Sequence, residues 1–323
     1  MSEAIPRTIL VTGAAGFIGS ALLTALGKRP VRRALRRAEE KALPGDAVVG
    51  DISPDTDWRP LLAGVDCVVH LAARTHVLDE TSLNPLETYR RSNVEVTRRL
   101  AQQASAAGVR RFVFLSSIKV NGETTQGTPF SESALPAPQD AYGISKLEAE
   151  NVLQIVGDQS KMEWVILRPP LVYGPGVKGN FLRLMNLIAR GIPLPLASVQ
   201  NQRSLIHVEN LADVIIACVD TPAAAGRQWL VSDGQDISTP DLIRTLALGF
   251  NRPARLLPCP VTLLTLGAAF LGQQAAIARL TGSLAVDSSA LRLELGWKPR
   301  IQLDQGLINT ARWYHQTQIQ RGL

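Results

Sequence analysis

The apolar run Thr8-Ile-Leu-Val-Thr12 ends on Gly13-Ala-Ala-Gly16-Phe-Ile-Gly19, which passes directly into the apolar stretch 17–26. The first run reads as a buried strand and the stretch behind it as a helix, so the glycines stand at a strand-to-helix turn. Glycine there permits a tight turn and a close approach of backbone to a pyrophosphate. It also lets the helix pack near its strand, with the helix N-terminus facing the anion. An ordinary glycine-rich turn accounts for the glycines, but not for their place between a buried strand and an apolar helix. The candidate dinucleotide contacts are Gly13, Ala15, Gly16, Phe17, Ile18 and Gly19.

Apolar runs then alternate with helical periodicity. Residues 31–35, 47–49, 67–70, 111–115 and 164–167 read as further strands, and 86–107 and 141–156 as helices. Strand, helix, strand in succession predicts an α/β fold, a Rossmann-type doubly wound parallel sheet. After Arg168 the chain is punctuated by Pro169, Pro170, Gly174, Pro175, Gly176 and Gly179, where a smaller C-terminal substrate-binding lobe is expected to begin. The helical pattern 206–219 and the strand 228–231 should return to the sheet. Ser238-Thr-Pro-Asp241 should open another helix with a cap and an early proline. The expected division is 1–170 with 206–235 in the nucleotide-binding domain, and 171–205 with 236–323 in a discontinuous lobe.

A net charge of +6 suits nucleic acid, a membrane surface or phosphorylated small molecules alike. Placement is more informative. Strand 31–35 ends on Arg36-Arg37, where an acidic residue would hold ribose hydroxyls; arginine suits a ribose 2′-phosphate, so NADP(H) is favoured and NAD(H) is the alternative. The first acidic residue, Glu39, follows both arginines. A solvated basic segment would look the same, whereas a nucleic-acid surface would call for interleaved aromatics or a binding module, and neither is present. Cys67, Cys218 and Cys259 are odd in number and scattered, which fits reduced cytoplasmic thiols, without metal-ligand spacing. The N-terminus has no signal-peptide pattern. Residues 256–278 carry no charge, but prolines and glutamines interrupt them short of the roughly 20 apolar residues of a spanning helix; a buried or substrate-capping helix is expected, with membrane-surface docking as the alternative.

Tyr142 and Lys146, four apart on the helix 141–156, share a face. Together with the glycine turn, they resemble the extended branch of the short-chain dehydrogenase/reductase family, of NAD-dependent epimerase/dehydratase type. Gly50-Asp51-Ile52 resembles the family's adenine-contacting segment, His70-Leu71-Ala72-Ala73 the strand end beside the cofactor, and Asn93 an Asn that opens a packing helix. Ser116-Ser117 and Arg168-Pro169-Pro-Leu-Val-Tyr-Gly-Pro-Gly176 continue the match.

The resemblance implies that Tyr142 is the general acid/base, that Ser117 bonds the reacting oxygen, and that Lys146 supplies positive charge and holds the nicotinamide ribose. Tyr142 would need to titrate below its ordinary value of about 10. Asp51, Ile52, Leu71, Ala72, Ala73, Asn93, Ser116 and Pro169 join the cofactor contacts by the same resemblance. Relatives that dehydrate nucleotide sugars follow their Ser or Thr with Asp-Glu; Ile118-Lys119 stands here, which leaves oxidation, reduction or epimerisation at one carbon. Lys119, Asn180, Arg203 and Arg279, with Ser117 and Tyr142, are the candidates for a UDP-sugar, the arginines for its diphosphate. Each arginine equally suits a salt bridge within its lobe, and His207 reads as structural.

An arginine-rich strand end suits a net reductase, since NADPH serves reductions. Ser117-Ile-Lys-Val-Asn-Gly122 resembles bacterial polysaccharide-pathway enzymes that reduce UDP-4-keto-6-deoxy-N-acetylglucosamine to UDP-N-acetylquinovosamine. An NADPH-dependent 4-ketoreductase is therefore expected. A UDP-N-acetylglucosamine or UDP-glucose 4-epimerase with tightly bound NAD is the alternative. Homodimerisation through 86–107 and 141–156 is implied by the resemblance alone.

Overall fold

A computed structural model describes residues 7–37, 45–75, 84–270 and 272–320, so Glu39 lies outside the described residues. The first half runs β1 (Thr8–Thr12), α1 (Phe17–Leu26), β2 (Val31–Leu35), β3 (Ala47–Val48), α2 (Arg59–Leu62) and β4 (Val65–His70), then α3 (Pro85–Tyr89), α4 (Val96–Ala106), β5 (Arg111–Leu115), α5 (Ala141–Asp158) and β6 (Glu163–Arg168). The second comprises β7 (Leu171–Tyr173), α6 (Gly179–Ala189), β8 (Arg203–His207), α7 (Val208–Asp220), β9 (Arg227–Leu230) and β10 (Asp236–Ile237). It ends with α8 (Thr239–Gly249), α9 (Val261–Phe270), α10 (Gln274–Thr281), α11 (Ser289–Leu295) and α12 (Leu303–Gln320).

Seven strands form one sheet in the order β3-β2-β1-β4-β5-β6-β9, every pair parallel, so the strand ends at Thr12, His70 and Leu115 share one edge. Helices cover both faces, which is why β5 is buried at every residue. Side chains alternate: Ile9 and Val11 pack with Leu22, Leu211 and Trp229 on one face, and Leu10 packs with Leu100, Phe112 and Leu153 on the other. This is the doubly wound Rossmann-type sheet the alternation predicts.

A second sheet, β10-β8-β7, and a third core lie beyond β6. That core joins Phe181 and Met185 of α6, Leu246 of α8 and Leu307 of α12.

Two elements depart from the sequence reading. Residues 206–219 are not one helix: Ile206 and His207 end β8, and His207, in extended backbone at φ −66° and ψ 139°, caps α7 by accepting from the Glu209 N–H at 3.3 Å. The stretch 86–107 is interrupted by a π-helical turn at Arg90–Glu95, which carries Asn93. Among the described residues no helix is long and apolar enough to cross a membrane.

Candidate active site

The turn after β1 and the first turn of α1 each accept only glycine at one point. Gly13 holds φ at +70°, and a Cβ there would stand 2.8 Å from the Ala72 nitrogen. A Cβ on Gly19 would stand 2.2 Å from the Gly13 carbonyl oxygen. Gly16 stands at the N-cap of α1 with no side-chain cap, which leaves N–H groups of the first turn open to an anion. Ala15 and Gly16 are exposed there, and Phe17 and Ile18 are half-buried. Leu71, Ala72 and Ala73 follow β4, with Leu71 and Ala72 backbone against Gly13 and the Ala72 N–H donating to Thr12 Oγ1 at 3.2 Å. These features fit a dinucleotide's pyrophosphate.

At the end of β2 the arginines divide. Arg33 pairs with Asp46 at 2.5 Å, and Arg32 donates to the carbonyls of Leu61 and Ala63. Arg36 and Arg37 are exposed beyond the strand, and Arg36 Nε lies 2.7 Å from Asp51 Oδ1. Two adenosine-side candidates therefore meet, while Ile52 packs against the core beneath them.

Asp140 caps α5 by accepting from the Gly143 N–H at 2.7 Å, and this places Tyr142 in the helix's first turn and Lys146 one turn later. Ser117 follows β5 and lies near enough to the Tyr142 phenol to draw its pKa down, while Lys146 stands one turn further along α5. Lys146 is 1% exposed, with Nζ 4.0 Å from the Phe114 ring centroid. Burial pushes Lys146 down to about 7, against the pull of Glu150. Burial pushes Tyr142 up to about 12, against the pull of Ser117. The direction is opposite to the one expected for Tyr142. His70 falls to about 3 through burial and the Lys146 charge.

Asn93, presented by the π turn, donates to Ser145 Oγ at 3.0 Å and to the Arg74 carbonyl at 3.1 Å, while Ser145 donates to the Tyr142 carbonyl at 2.8 Å. Asn93 thus braces the start of α5 against the segment after β4. Pro169 accepts from the Ile118 N–H at 2.9 Å, tying the end of β6 to the Ser117 turn.

Below Lys146 lies a network the sequence reading did not identify. Ser116 donates to Glu150, and Glu150 pairs with Arg168 at 2.6 Å, both side chains about 2% exposed or less. Arg168 also donates to Asn121 Oδ1 at 3.1 Å and Gln228 Oε1 at 3.0 Å. The available signal was Glu150, four residues after Lys146 on the same helix face.

The substrate candidates are less unified. Lys119 is held by Asp140 at 2.5 Å and Glu123 at 2.8 Å. Asn180 is exposed on the first turn of α6. Arg203 donates to the Arg279 carbonyl at 2.7 Å and the Gly282 carbonyl at 3.1 Å, which seats β8 against the end of α10. A cleft of about 660 Å³ lined by Thr125, Asn201, Gln202 and Ser283 opens beside this contact.

A parallel sheet in this order, a glycine-only turn at β1 and a Tyr-Lys helix beside the strand ends define a nicotinamide-dependent enzyme of the extended short-chain dehydrogenase/reductase class. Within that class, residues 9–232 match the model of the NAD dependent epimerase/dehydratase family, to which the chain belongs. It is 45% identical over 317 residues, 97% of each chain, to a UDP-glucose 4-epimerase of Vibrio cholerae. Its structure resembles that of MoeE5 in complex with UDP-glucuronic acid and NAD, at TM-score 0.76 and 26% identity, with 96% of this chain and 99% of that one covered. It shares the fold of a UDP-glucuronic acid 4-epimerase of Bacillus cereus at TM-score 0.77, with 23% identity and 96% and 99% coverage. The Vibrio relative favours the epimerase alternative over the anticipated 4-ketoreductase.

Proposed function

We propose that this chain is a 4-epimerase of UDP-glucose or UDP-N-acetylglucosamine. The observation that carries the reading is the 45% identity to a UDP-glucose 4-epimerase across 97% of both chains. Inversion at C4 needs a group that takes the proton of the C4 hydroxyl as hydride leaves C4, and gives it back to the same oxygen once the 4-ketone has turned to receive hydride on its other face; Tyr142 is that group. Ser117 bonds the same oxygen, which keeps the C4 oxygen within reach of Tyr142 during the exchange. The chemistry that nicotinamide supplies when bound is reversible hydride acceptance, with a positive charge on the oxidised ring. Lys146, one turn along α5, supplies further positive charge when protonated, which favours the phenolate. Gly13 and Gly16 let backbone approach the pyrophosphate, Gly19 seats α1 against the turn, and Arg203 with Arg279 flanks the sugar diphosphate.

A second reading, NADPH-dependent reduction of a UDP-4-keto-6-deoxy-N-acetylhexosamine, is favoured by exposed Arg36 and Arg37 at the end of β2. The pairing of Arg36 with Asp51 weakens it, because the carboxylate offsets charge a 2′-phosphate would use. Purified protein given UDP-glucose or UDP-N-acetylglucosamine, with no added nucleotide, should form the galacto sugar to equilibrium as followed by anion-exchange chromatography. No conversion, together with NADPH consumption on the 4-keto sugar, would replace the first reading by the second.

A further inference from the structure

Helix α9 has two apolar faces. Val261 and Leu264 pack against the core of α6, α8 and α12, and Ala268 is buried. Leu263, Leu266 and Phe270, spaced three and four apart on the opposite stripe, are 58, 58 and 91% exposed. A surface helix ordinarily turns polar residues outward, so this face lacks its partner. Leu257 leads into the helix and is also exposed, as is Ile192, which backbone bonds between Leu194 and Leu257 hold nearby.

Charge identifies what covers the face. The sequence has no acidic residue over 164–208 or over 242–286, the two stretches that supply α6, α9 and α10. Arg190, Arg252 and Arg255 are exposed at the junction of those stretches; Arg252 and Arg255 donate to the carbonyls of Ala189 and Gly191. A second copy of the chain meeting this face about a two-fold axis would set arginines against arginines with no carboxylate between them. An anionic bilayer supplies both missing partners, apolar chains and negative headgroups.

We propose that α9 docks this lobe on an anionic membrane surface. Leu263, Leu266 and Phe270 enter the acyl boundary, and Arg190, Arg252 and Arg255 meet the headgroups. The helix is too short to span and lies in the plane of the interface. The inference stands apart from the sugar assignment, because none of these residues belongs to the site.

Co-sedimentation of the full chain with phosphatidylcholine vesicles, with and without roughly one-third phosphatidylglycerol, tests it. Binding is expected to need the anionic lipid and to weaken as salt is raised. The combined change Leu263→Ser, Leu266→Ser and Phe270→Ser should lower partitioning at least about ten-fold. Arg252→Glu with Arg255→Glu should lower it comparably, and retained turnover shows that each variant is folded. Equal sedimentation of the wild type and the serine variant would overturn the proposal, as would no binding by the wild type. So would a dimer in lipid-free buffer that the serine changes dissociate, which would give the face to a second copy.

Discussion

Helices α5 and α9 both reverse the usual distribution of polarity, in opposite senses. On α5 the charged Lys146 and Glu150 point inward at 1 and 2% exposure, while on α9 Leu263, Leu266 and Phe270 point out. The reversal on α5 is completed within the chain: Ser116, Arg168, Asn121 and Gln228 form a connected set around Glu150, and the ring of Phe114 lies under Lys146. The reversal on α9 has no such completion among the described residues. A buried polar group set in a network serves positioning and chemistry, whereas an exposed apolar stripe calls for something outside the molecule.

The largest expected effect is on the α5 side. Tyr142→Phe removes the proton-transfer group and should lower turnover about 10²- to 10⁴-fold in steady-state assays while leaving the unfolding midpoint close to that of the wild type. Similar turnover in both proteins would remove Tyr142 from the mechanism. Arg168→Ala leaves the Glu150 carboxylate buried without its ion pair and should cost about 3–5 kcal/mol in urea unfolding. A loss below about 1 kcal/mol would mean that water or a rearranged side chain takes over, and the contrast between the helices would lose its basis.

A subtler effect comes from Lys146, whose proton leaves near pH 7 in the folded chain and near its ordinary value of 10.5 in the unfolded one. Between those values unfolding takes up a proton, so stability should rise as pH increases from 7 towards 10. Lys146→Met should lack that rise in pH-dependent thermal melts. Tyr142 acts in the reverse sense above pH 10, because the folded state keeps its proton up to about 12. The smallest effect belongs to α9: Leu266→Ser or Phe270→Ser should change stability by no more than about 0.5 kcal/mol, since those side chains touch little of their own fold.

What the sequence discloses follows the range of the interactions. Strand β1, helix α1 and strand β5 appear at their observed bounds because a local apolar run bounded by glycine or a turn defines each. The meeting of Ser117 with Tyr142, and the place of Lys146 one turn on, follow from helix spacing plus a shared sheet edge. Strand β7 was not evident, since it is three residues long and sits among Pro169, Pro170 and Gly174. His207 read as part of a helix because its apolar neighbours continue on both sides, and only pairing with Tyr173 on β7 makes it strand. The Glu150–Arg168 and Arg36–Asp51 pairs join residues distant in sequence, as does the Arg203 contact with the end of α10. No local pattern marks such pairs. The upward shift of Tyr142 comes from burial, which spacing on a helix does not report.

The most direct measurement uses UDP-glucose carrying deuterium at C4, incubated with the purified chain in ordinary water without added nucleotide and followed by NMR. The expected result is UDP-galactose that keeps its deuterium at C4, formed to equilibrium and at least about 100-fold faster than by Tyr142→Phe. Product with hydrogen at C4, equal rates in the two proteins, or no product at all would contradict the assignment of this site as a 4-epimerase.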